Sequence, residues 1–118
     1  MNFGLYFREL RKAKQITQKQ IADALGKSTM LVSGIETGKN GPFTEADLEI
    51  VSVVLNLSDN EKKELYMIAA RAKGKLPSYL LNYIISNEEV YDLLNVLAKK
   101  ELGRESISKI IEYVEENN

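Results

Sequence analysis

With 118 residues, a formal net charge of −1 and 44% hydrophobic side chains, the chain suits one compact domain or two very small helical units, and it can bury a core. It has neither cysteine nor histidine, which excludes disulfides, zinc fingers, thiolate chemistry and histidine-based acid–base catalysis; with no paired acidic motif either, no enzymatic activity, metal or cofactor is expected. No apolar run approaches the roughly 20 residues of a membrane span, and charge within the first nine residues breaks any secretory signal, so the expected location is the cytoplasm.

The periodicity is helical almost throughout, which predicts an all-α fold. A first helix runs from about Phe3 to Lys14, with Phe3, Phe7 and Leu10 on one face. Thr17, with Gln20 three residues on, forms a capping box for a second helix, whose inner face is Ile21, Ala22 and Leu25. Gly26 ends it in the left-handed conformation of a tight turn. Ser28 caps a third helix with Val32 and Ile35 inward, and Gly38 closes it.

Gly41-Pro42 marks a loop, and Thr44 caps a fourth helix ending near Leu55. Leu48, Val51 and Leu55 make one stripe of that helix; Ile50, Val53 and Val54 lie off it, so something beyond the N-terminal bundle should cover them. Ser58 and Glu61 form a capping box for a fifth helix to about Lys73. Gly74 and Pro77 bracket the clearest boundary, dividing the chain into 1–74 and 75–118. A sixth helix runs from Pro77 through Ile85, and Ser86 with Glu89 predicts a capping box for a seventh, roughly Asn87–Leu102, stopped by Gly103. The last helix carries Ile107, Ile110, Ile111 and Val114 on one face, and its final four residues should fray.

Net charge near zero hides an asymmetry. Residues 1–40 hold seven basic against three acidic side chains, about +4, and residues 77–118 hold four basic against eight acidic, about −4. A basic half facing phosphates and an acidic half pointing away is one reading; two solvated charged faces is the other.

The segment Thr17–Gly38 predicts two short helices crossing steeply about a glycine turn, the outer face of the second left to solvent. Such a helix suits the DNA major groove, about 12 Å wide. With its flanks the segment resembles the XRE family, the Cro/cI-type repressors of phages and bacteria. The matching residues are Phe3-Gly4, Phe7-Arg8-Glu9-Leu10-Arg11, Ile16-Thr17-Gln18, Ile21-Ala22, Leu25-Gly26, Ser28, Val32-Ser33, Ile35-Glu36, Gly38 and Pro42, within residues 3–57. The resemblance implies a five-helix, lambda-repressor-like DNA-binding domain and dimeric binding to a pseudo-palindromic double-stranded operator. It puts Gln18 on a phosphate or beside a base-reading side chain, Thr29, Met30, Ser33 and Gly34 in the groove, and Thr37, Lys39 and Asn40 on phosphates. Thr17, Lys27 and Ser28 complete the candidate DNA-binding set, and Arg11 with Glu36 matches a structural salt bridge.

The recognition helix departs from the usual pattern. Base reading favours Arg, Lys, Asn or Gln, which make paired hydrogen bonds, and Thr29, Met30, Leu31, Ser33, Gly34 and Thr37 offer none of these. Gly34 should leave a gap that lets the helix sit close, with direct readout weak and tilted toward A·T, and specificity resting on DNA shape and dimer spacing. Met30 and Leu31, read as exposed, also admit a protein partner, as in antitoxins and phage-type inhibitors.

The C-terminal part holds more apolar side chains than one short helical layer can hide. Tyr83, Val90, Leu94, Leu97, Ile107, Ile110, Ile111 and Val114 are the candidate dimerisation residues, with the spare face of the fourth helix a second destination. A homodimer built there would set two recognition helices about 34 Å apart, one turn of DNA.

Overall fold

A computed structural model describes residues 2–118. Among the described residues the chain is all-helical: α1 (Phe3–Ala13), α2 (Gln18–Leu25), α3 (Thr29–Thr37), α4 (Glu45–Val54), α5 (Asp59–Lys73), α6 (Ser78–Ser86), α7 (Glu88–Lys99) and α8 (Arg104–Asn117). It divides into two compact units, Met1–Pro77 with α1–α5 and Ser78–Asn118 with α6–α8.

Every helix of the first unit starts at a side chain that accepts a hydrogen bond from an otherwise unpaired amide. Asn2 accepts from Leu5, Thr17 from Gln20, Ser28 from Leu31, Thr44 from Asp47 and Ser58 from Glu61. At α2 and α5 the box is reciprocal, because the Gln20 and Glu61 side chains accept from the Thr17 and Ser58 amides. Gly26, Gly38 and Gly74 close α2, α3 and α5 with positive φ.

The core of this unit gathers Phe3 and Phe7 from α1, Ile21 and Ala22 from α2, Val32 and Ile35 from α3, Leu48, Val51 and Leu55 from α4 and its C-cap, and Leu65 and Ala69 from α5. Phe43, in the stretch before α4 that reads as a plain loop, is also fully buried, its ring edge-on to Phe7 with centroids 4.8 Å apart. Each buried valine, leucine, isoleucine or phenylalanine of this core contributes about 1.5–3 kcal/mol. Lys73 donates to the Phe43 carbonyl and ties the end of α5 to that stretch.

Gly4 sets how closely α1 approaches α3. A Cβ at this position would collide with the Ile35 carbonyl oxygen and stand 2.6 Å from that of Glu36. Within α4, Val54 packs partly on the core, but Ile50 and Val53 stay on the outer side, Val53 at 78% exposure.

The second unit corrects several expectations. Ser86 closes α6 instead of opening α7; the N-cap is Asn87, which makes no side-chain cap bond and donates from Nδ2 to the Tyr83 carbonyl at 2.8 Å. Gly103 does not stop α7, which ends at Lys99. Glu101 makes the left-handed turn with φ 51°, and Gly103 sits extended at the start of α8. The acidic tail continues α8 to Asn117 rather than leaving it. α6 packs against α7, yet no residue of α6, α7 or α8 is buried.

Candidate nucleic-acid interface

α2 and α3 cross over Gly26, whose φ of 66° lets the chain reverse within Leu25–Ser28. Ile21, Ala22, Val32 and Ile35 anchor the pair in the core. What remains outward on α3 is Thr29, Met30 and Thr37, with Ser33 half-buried at the margin. Met30 is 82% exposed. Leu31 does not join it: its side chain packs partly on the core, because position 31 lies one turn before the inward Ile35.

Glu36 holds the frame together from beneath. Arg11 donates to it twice, Nε to Oε2 at 2.7 Å and Nη2 to Oε1 at 3.0 Å, and Gln18 Nε2 adds a third bond to Oε1 at 3.1 Å. Arg11 Nη1 also donates to the Ile16 carbonyl at 2.9 Å. One buried, bidentate pair thereby joins α1, the α1–α2 turn, the start of α2 and the end of α3. Gln18 is half-buried, with its amide engaged on Glu36 inside the protein.

Several other candidate residues carry structural duties. Thr17 and Ser28 cap α2 and α3. Lys27 pairs with Asp47, a buried carboxylate at the start of α4 that sequence reading passed over. Thr37 Oγ1 donates to the Gly34 carbonyl at 3.3 Å, the local side-chain-to-backbone bond common for threonine. Gly34 leaves no open gap. It is buried, and the Asn40 carboxamide occupies the place where its side chain would be.

The positive charge of residues 1–40 is therefore partly neutralised from within. Arg11, Lys14, Lys19 and Lys27 pair with Glu36, Glu61, Asp23 and Asp47. Arg8, Lys12 and Lys39 are exposed and have no ion pair among the described residues. Of these, Lys39 directly follows α3 and its C-cap.

The candidate dimerisation residues all lie on α6–α8. Tyr83, Leu94, Ile107, Ile111 and Val114 are exposed, and Val90, Leu97 and Ile110 are half-buried. No helix among the described residues is long and apolar enough to cross a membrane.

Comparison with known proteins bears on the first unit. A family described as a helix-turn-helix domain matches residues 2–65. An uncharacterized HTH-type transcriptional regulator of Bacillus subtilis (strain 168), RghRB, is 38% identical over 55 residues. That match covers 47% of this chain and 40% of RghRB, so the chain spans well under half the length of this relative. No solved structure matches.

Proposed function

Because the chain belongs to the helix-turn-helix domain family, we propose that it binds double-stranded DNA as a homodimeric transcriptional regulator, most simply a repressor that covers its promoter. In this reading residues 1–74 are a lambda-repressor-like DNA-binding domain of the XRE type, and residues 75–118 pair two copies over a pseudo-palindromic operator in the cytoplasm. The observation that carries it is the division of α3: one side is locked into the core and the Arg11–Glu36 pair, and the other presents Thr29, Met30 and Thr37. Lys39, just beyond the helix and without an ion pair among the described residues, supports a phosphate contact in this reading. Pairing of copies is supported by the apolar side chains that α6–α8 leave uncovered, such as Leu94 and Ile111. The name of the Bacillus subtilis relative, a transcriptional regulator, agrees with this function.

A second reading, a helix-turn-helix scaffold acting through a protein partner, is favoured by Met30, an apolar side chain standing in solvent. It loses Leu31, which faces inward. Titration of duplex DNA at increasing salt separates the two. A regulator releases counterions, so log affinity falls linearly with log salt with a slope of about −0.9 per phosphate contacted. Absence of duplex binding even at low salt would leave the protein-partner reading.

A further inference from the structure

We propose that Asn40 is the base-reading residue of this protein, delivered into the recognition surface from beyond the helix. This rests on the DNA-binding reading above and deepens it. α3 has no side chain of its own that makes paired hydrogen bonds to a base edge. Gly34 lies one turn after Met30 and next to Ser33, at the border of the outward face. A Cβ there would collide with Asn40 Nδ2 and stand 3.1 Å from Asn40 Cγ. The Asn40 carboxamide thus takes the place of a residue-34 side chain.

Its position is held by the backbone. The Asn40 amide donates to the Gly34 carbonyl at 2.9 Å, so the chain folds back over the end of α3 and carries residue 40 to that spot. Among the described residues the hydrogen bond of Asn40 is that of its backbone amide; its carboxamide has no side-chain partner there, and the residue is exposed. A donor and an acceptor are therefore available side by side. Adenine offers the matching pair in the major groove, N7 as acceptor and the N6 amino group as donor. Lys39, the preceding residue, supplies the charge that a phosphate contact requires, leaving the neutral amide for the base. Glycine at 34 is part of the device, because any larger residue would push the amide away.

Selection of bound sites from random duplex DNA by the full-length protein and its variants tests this. The wild type should enrich sites with an adenine preference at one position of each half-site. Asn40→Ala should lose the preference at that position alone and bind the enriched site about tenfold to a hundredfold more weakly. Gly34→Ala should show the same loss while melting no lower than the wild type, since alanine favours the helix and a flexible amide can move aside. Lys39→Ala should weaken all sequences alike and reduce the salt slope by about one. If Asn40→Ala instead weakens every sequence equally, Asn40 is a phosphate contact and the proposal is overturned. Retention of the adenine preference by Gly34→Ala overturns it too. A wild-type protein that enriches no sequence and binds no duplex at low salt overturns the DNA-binding reading along with it, an outcome distinct from the other two.

Discussion

The two units are made of the same material, amphipathic helices of eight to fifteen residues, and treat it differently. In the first, five helices meet around three phenylalanines, all five begin at a capping side chain, and a buried ion pair ties α1 to α3. In the second, α7 and α8 begin without a side-chain cap, and no apolar side chain is buried. An apolar stripe stabilises a fold only when a second layer covers it. A unit of about 40 residues lies near the limit below which a domain needs oligomerisation or another external support. The lesson is that a clean helical stripe, such as the one on α8, identifies a surface that wants covering and does not say what covers it.

The sharpest challenge to this contrast is Arg11→Ala. It strands the buried Glu36 carboxylate with Gln18 as its one remaining side-chain partner, and should cost the first unit about 3–5 kcal/mol, read as the loss of its transition in denaturant titrations followed by circular dichroism. The α6–α8 helices answer to a different measurement. Leu94→Glu and Ile110→Glu should raise the dimer dissociation constant at least about a hundredfold, roughly 2.7 kcal/mol, in sedimentation experiments, while the first unit melts as before. If both variants remain dimeric, the second unit is not where copies meet. Gly4→Ala should lower first-unit stability by about 2 kcal/mol, because a methyl group there meets backbone carbonyls that have nowhere to go. An unchanged melt would mean that α1 and α3 are less closely fitted than their geometry indicates.

The smallest effect is acid sensitivity. The Ser58 amide, and after it Lys14, hold the Glu61 carboxyl below the ordinary glutamate range. A depressed folded-state value stabilises the protein above the unfolded value, and that contribution is lost as pH falls through the depressed one. The first unit should therefore weaken slightly as pH is lowered below about 4. Glu61→Gln, which keeps an acceptor for the capping box, should flatten that part of the curve. A profile identical to the wild type would remove Glu61 as a source of the sensitivity.

Helix starts were the most legible part of the first unit. Thr17 with Gln20, Ser28, Thr44, and Ser58 with Glu61 can be read directly because capping is a local reaction between neighbours. The same rule misled at Ser86 and Glu89, where Asn87 turned its side chain back to α6 and left α7 uncapped. Gly103 misled for a related reason. A glycine permits a helix to stop but does not oblige it to stop there, and α7 ended earlier, at Lys99, with the positive-φ turn at Glu101. At the interface, the outward stripe of α3 was visible in the spacing of Val32 and Ile35. The partner of Lys27 and the position of Asn40 were not, since Asp47 and Gly34 come near them only once the chain has doubled back.

Composition, periodicity and capping pairs determined by themselves that this protein is helical, that Thr17–Gly38 forms two helices about a glycine turn, and that it lacks cysteine and histidine chemistry. These are properties of neighbours along the chain, and the energies involved act within one or two turns. Tertiary structure alone decided that Phe43 belongs to the core, that Gly4 must be bare, that Arg11, Lys14 and Lys27 are held by carboxylates from other helices, and that Asn40 stands where residue 34 has no side chain. Those facts depend on how separate elements pack or on how the chain doubles back past a helix end, which close packing settles and no single helical turn records.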